Sequence, residues 1–144
     1  MIFTANNHPS LRFPKREAFR AIQSVLKNES ARSFRLSIVF VGSRTIRGIN
    51  RRFLGHDSVT DVIAFPLGGE DEPGAQAEIY VNLDRAKSQA REYGVTFAEE
   101  ARRLLIHGTL HLLGYSDESP RRRARMARRE DFHLSRLSKP NKCE

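Results

Sequence analysis

Residues 96–117 read TFAEEARRLLIHGTLHLLGYSD, and both the architecture and the chemistry of the chain turn on them. Thr96 and Glu99 stand at capping-box spacing, so a helix is expected to open there. From Leu104 onward it is apolar nearly all round, which predicts burial against a sheet rather than a place on the surface. Gly114 suits the left-handed conformation that stops a helix and turns the chain back. Within this helix His107 and His111 lie four residues apart, so both imidazoles project from one face and can reach one metal ion. Asp117 comes after the turn, and its carboxylate is an acceptable third ligand in the pattern H-x3-H-x2-G-x2-D. A single histidine on an apolar helix is ordinarily a core residue satisfied by a hydrogen bond. Two histidines, a turn glycine and a downstream carboxylate favour a metal. Three protein ligands leave a fourth position open, the arrangement of a catalytic zinc site.

Outward from this segment, the chain alternates strands and helices without a repeat or a dividing linker. Pro14 opens a helix carrying Ala18, Ile22, Val25 and Leu26 at helical spacing. RLSIVFV (35–41) reads as a strand, and Ser43 is expected to cap the next helix, whose buried side is marked by Ile46, Ile49 and Phe53. TDVIAF (60–65) predicts a buried strand stopped by Pro66, LGGEDEPGA (67–75) a surface connection, and AEIYVNL (77–83) another strand. Leu83, Ala86, Ala90 and Tyr93 share one side of a helix ended by Gly94. A charged helix fills most of 120–135, and SKPNKCE reads as a loose tail. The zinc-protease motif H-E-x-x-H-x-x-G-x-x-H has the same spacing as the histidine segment. Gly108, however, stands where those proteases place their general-base glutamate, which argues against peptidase chemistry.

The chain has 144 residues, 25 Lys and Arg against 17 Asp and Glu, and a pI near 10.4. That is one domain's worth of protein with enough apolar content for a core. No apolar run reaches the ~20 residues of a membrane span, and the N-terminus lacks the pattern of a secretory signal. Cys143 is the only cysteine, so neither an intrachain disulfide nor a cysteine zinc cage can form. The composition suits a cytoplasmic protein. Residues 1–119 hold 16 basic and 14 acidic side chains, whereas 120–144 hold 9 and 3. The excess centres on RRRARMARR (121–129), which reads equally as a phosphate-binding strip or as the solvated face of a terminal helix.

HGTLHLLGYSD (107–117) resembles the H-G-x-L-H-L-x-G-Y-D-H signature of the YbeY family of single-strand-specific endoribonucleases that act in ribosomal RNA maturation. LSIVFV, TDVIAFP and AEIYVNLDRAKSQAREYG occur in the family's order, and Met126 and Glu130 suit its usual ending. The similarity runs from about Phe34 to about Leu134. It implies a single α+β domain over 1–135, with a small mixed sheet of about four strands, about five helices and a central buried histidine helix, and a flexible tail over 136–144. It also implies a zinc-dependent endoribonuclease for small-subunit ribosomal RNA and ribosome quality control, with single-stranded RNA and the ribosome as partners. His107 and His111 would hold one Zn2+ per chain, with Asp117 where the family pattern has a histidine. A carboxylate there adds negative charge and makes a bound water less acidic. A second departure is Leu54, which stands where relatives carry an arginine. Arg51, Arg52 or His56 are the nearby candidates for contacting substrate instead. An RNA-binding or ribosome-assembly protein with a structural metal is the main alternative, and a zinc protease the next.

Overall fold

The apolar alternation of RLSIVFV makes it a strand buried on one face, and it lies at the centre of the sheet. The computed structural model describes residues 1–31, 35–67 and 76–138. Its elements run β1 (Ile2–Asn6), α1 (Lys15–Asn28), β2 (Arg35–Val41), α2 (Ser43–Leu54), β3 (Val62–Leu67), β4 (Gln76–Asn82), α3 (Leu83–Tyr93), α4 (Phe97–Leu112) and α5 (Pro120–Ser138). The sheet order is β1-β2-β4-β3. β2 is parallel to both β1 and β4, with Ile38 beside Ile79, and β3 is antiparallel to β4. One mixed four-stranded sheet and five helices match the expected α+β architecture.

Period-two alternation sends Leu36, Ile38, Phe40, Ala77, Ile79 and Val81 to one face of the sheet. There they bury against Phe13, Ala18, Ala21 and Ile22 before and within α1, and against Leu83, Ala86, Ala101, Leu104 and Leu105 of α3 and α4. A second layer forms where α5 lies outside α1 and α4, closing Met126 onto Val25, Ile106 and Leu110. The histidine helix α4 is thus packed on the sheet on one side and under α5 on the other. Each large aliphatic side chain so buried contributes about 1.5–3 kcal/mol. On the opposite face of the sheet Ile46 of α2 meets Val41 and Ile63, with Ile49, Phe65 and Tyr80 packed alongside.

Several boundaries differ from the sequence reading for identifiable reasons. Pro66 does not stop β3, which continues to Leu67; β3 is an edge strand, where the missing N–H can face away from the ladder. β4 begins one residue earlier and ends at Asn82, whose side chain accepts from the backbone N–H groups of Asp84 and Arg85 and so starts α3 directly. Ser43 does not cap α2: it is the first helical residue, and its N–H donates to the Asp84 carboxylate at 2.9 Å. Phe53 and Tyr93, expected on buried sides, are both 60% exposed. In α2 the inward place falls to Asn50, which donates to the Ser58 carbonyl and hydroxyl and holds the following loop. α5 runs on to Ser138, three residues past the expected end. The connection expected over 67–75, apart from Leu67, and residues 139–144 of the expected tail, with Cys143, lie outside the described residues.

Candidate metal centre

Two ligands of the candidate site are fixed by α4, and the third by how α4 ends. Thr96 caps the helix by accepting from the Glu99 N–H at 3.1 Å. At the other end Gly114 adopts φ +102°. Its N–H donates to the His111 carbonyl, and the Tyr115 N–H reaches back to the Leu110 carbonyl, both at 3.1 Å. This tight stop aims residues 115–117 back over the last turn. Arg123 of α5 donates to the Asp117 carbonyl at 3.2 Å and steadies the backbone that carries the carboxylate.

The three side chains meet. His107 Nε2 is 3.5 Å from Asp117 Oδ2, and His111 Nε2 is 3.6 Å from Asp117 Oδ1. One donor atom from each residue lies within 4.8 Å of the others, and no other such group of His, Cys, Asp or Glu occurs among the described residues. Separations of 3.5–3.6 Å are too long for good hydrogen bonds. They lie near the roughly 3.4 Å that separates donors held about 2.0–2.2 Å from a shared ion, each histidine facing a different oxygen of the carboxylate. Imidazole nitrogens and a carboxylate oxygen are also a donor set that zinc accepts. The residues present therefore fit a divalent metal ion.

Behind His107 lies a support whose contact no sequence pattern announced. His107 Nδ1 is 2.6 Å from Glu130 Oε2, and Glu130 is buried and also takes 3.0 Å donation from Arg103. A carboxylate on Nδ1 fixes the tautomer and turns the Nε2 lone pair toward Asp117. Burial works to lower the His107 pKa, but the Glu130 hydrogen bond and charge, with Asp61 and Asp117 nearby, raise it above the ordinary value. In the sequence Glu130 is marked only by its fit to the family's usual ending, as the first acid after RRRARMARR.

The open side of the site faces a cleft of about 380 Å³ in which His111 shares the wall with Asn50, Leu54, His56 and Thr60. Of the three residues suggested for substrate contact, His56 lines this cleft. Arg51 and Arg52 do not: they line a separate groove on α2 with Ile49 and Phe53. Leu54 occupies the cleft wall itself. Gly108 is seated against the sheet: a Cβ added there would lie 3.0 Å from both Ile79 Cγ2 and Val62 Cγ2.

The family model for endoribonuclease YbeY matches residues 4–138. The chain belongs to the YbeY family. The endoribonuclease YbeY of Chlorobaculum parvum is 44% identical over 118 residues, covering 81% of this chain and 82% of that protein. That of Salinibacter ruber is 34% identical over 137 residues, covering 90% and 87%. Among solved structures, the solution structure of TM1509 from Thermotoga maritima is similar with a TM-score of 0.64 and 27% identity, covering 95% of this chain and 89% of that one. Set against the signature quoted above, the histidine segment differs at Ser116 and Asp117. No helix among the described residues is long and apolar enough to cross a membrane.

Proposed function

We propose that this chain is a zinc-dependent endoribonuclease that cuts single-stranded RNA in small-subunit ribosomal RNA maturation and ribosome quality control, in the cytoplasm. Membership of the endoribonuclease YbeY family supports the activity. The observation that carries the site is the pair of 3.5 and 3.6 Å separations between the histidine Nε2 atoms and the Asp117 carboxylate. In this reading His107, His111 and Asp117 hold one zinc ion. When bound, such an ion supplies Lewis-acid chemistry suited to a phosphodiester.

The chain's own groups do the rest. Glu130 holds the proton on His107 Nδ1 and so keeps Nε2 available as a donor. The walls from Asn50 to Thr60 confine the scissile segment beside His111. His56 is the polar side chain best placed to meet a phosphate there, while Arg51 and Arg52 hold the strand beyond the cleft. Side-chain exposure of 42% at His111 and 41% at Asp117 supports a working site over a closed structural one. Gly108 opposes a peptidase reading, because the position that carries the general-base glutamate in the zinc-protease motif has no side chain here.

The test compares zinc-loaded protein, chelated protein and a His111→Ala variant on single-stranded RNA. Cleavage by the first alone, with about one zinc per chain that is lost in Asp117→Ala, is the expected result. Cleavage that survives chelation and the His111 substitution would overturn the reading.

A further inference from the structure

Phe53 was expected inside and is outside, and what it touches gives its exposure a use. Its ring stacks on Phe65 of β3 at 5.9 Å between centroids and 27° between planes, and Phe65 stacks on Tyr80 of β4 at 6.0 Å and 20°. These three rings make a ladder from the last turn of α2 across β3 to β4, beside the cluster that Ile46 forms with Val41 and Ile63. The outermost ring is 60% exposed, and the Arg52 guanidinium stands over it at 5.8 Å from its centroid. Beside it a groove of about 540 Å³ has Ile49 and Phe53 as apolar lining and Arg51 and Arg52 as cations. The groove also contains Gly48, where an added Cβ would meet nothing within 4 Å. Leu54, the next residue after Phe53, lines the metal-side cleft. The last turn of α2 therefore separates the two surfaces by the width of one helix.

We infer that the Phe53 ring and the Arg51–Arg52 groove form a stacking subsite for an unpaired RNA base next to the cutting cleft. The inference rests on the RNA-cleaving reading and adds to it a place where the strand is held. An exposed π-face offers every base the same stacking surface, and adjacent guanidinium groups take the phosphates on either side. Charge decides for nucleic acid over an apolar protein partner, since the cations flank the exposed ring. Among the described residues the nearby acids are both engaged: Glu78, cross-strand from Phe65, accepts from the Tyr80 hydroxyl, and Asp57, which also feels the Arg51 charge, is held by Arg47. Phosphates would stay at the Phe53 end, with bases directed inward. Such a site prefers single strands without reading their sequence, because a paired base has no free face to offer.

The experiment measures binding of a short single-stranded RNA to chelated protein, so that nothing is cut, alongside an oligonucleotide of the same length with abasic sites. Cleavage by the zinc-loaded protein is measured in parallel. The expected result is that wild type prefers the base-containing strand roughly tenfold or more, the scale of one stacked base. Phe53→Leu should lose that preference, Phe53→Trp should keep it, and Gly48→Glu should weaken both oligonucleotides. Zinc content should stay unchanged in all three. Phe53→Leu keeps apolar packing on Phe65, so its folding is not at issue. If wild type cuts RNA and Phe53→Leu binds as wild type does, the subsite is overturned and the nuclease reading stands. If Phe53→Leu instead changes only the protein's molecular mass in solution, the ladder is a protein interface and the subsite is again overturned. If zinc-loaded wild type neither binds nor cuts single-stranded RNA, both readings fall together.

Discussion

Glu130 and Leu54 bear on the site from opposite directions, one from behind a ligand and one from across the cleft. Glu130 touches no substrate, yet its 2.6 Å contact with His107 Nδ1 sets which nitrogen faces Asp117. Glu130→Gln should weaken zinc binding about 10- to 100-fold, the usual range for such outer contacts, as read by competition with a calibrated chelator. Unchanged affinity would mean that packing alone orients the ring. Leu54 is 45% exposed in the wall that His111 shares. Leu54→Arg places a cation in that wall, and one charge-assisted phosphate contact should raise RNA affinity about tenfold with zinc content unaltered. His107, His111 and Asp117 were legible in the sequence because helix spacing and a turn glycine act locally. Glu130 lay 23 residues from its partner, and no local period connects an acid on one helix to a histidine on another.

At the level of elements, α4 and α2 each carry an interior glycine, and the two glycines have opposite surroundings. Gly108 is pressed against the sheet, where a methyl group would sit 3.0 Å from Ile79 and Val62 side chains. Gly48 faces open space. Gly48→Ala should therefore stabilise the protein by about 0.5–1 kcal/mol through helix propensity. Gly108→Ala meets the overpacking cost of about 1–3 kcal/mol, which outweighs the same propensity gain. Urea unfolding of the two variants should move the midpoint in opposite directions, and equal shifts would refute the close seating of α4. Element types were readable because apolar periods of two and of 3.6 differ plainly in RLSIVFV and in the histidine helix. Their ends were harder to read. Ser43 looked like a cap, but its N–H is taken by Asp84, 41 residues away. Phe53 looked internal because helical spacing counts apolar residues and cannot tell how far across the sheet a helix extends.

Across the whole molecule, two glutamates give stability a pH dependence with opposite signs. Glu29 lies past the end of α1 and gathers three groups from beyond α4: it accepts from Tyr115 Oη at 2.8 Å, Arg129 Nε at 2.6 Å and His133 Nε2 at 2.7 Å. Burial works against its charge, but these bonds, led by His133, hold its pKa below the ordinary value. Its contribution is present above about pH 4.5 and is lost as pH falls through the depressed folded value. Glu100, 3% exposed on α4, is pushed up to about 7 by burial, with Asp61 and Glu130 adding to the shift against Arg103. The folded state then binds its proton more tightly than the unfolded chain does, so stability is lost as pH rises from about 4.5 through 7. A thermal scan across about pH 3–9 should therefore peak near pH 4.5, where both contributions are in place. Glu100→Gln should flatten the alkaline side, by on the order of 3 kcal/mol at full effect. An unaltered alkaline side in that variant would show that Glu100 is solvated.

The tight seating of α4 on β3 and β4 also restricts what evolution can do with this scaffold. A glycine-to-glutamate exchange is a single step from some glycine codons, and at Gly108 it would supply the glutamate of the metallopeptidase motif with Asp117 still in place of its last histidine. Its first carbon would already lie 3.0 Å from Ile79 and Val62, so this position cannot take on a longer side chain without first lifting the helix off its floor.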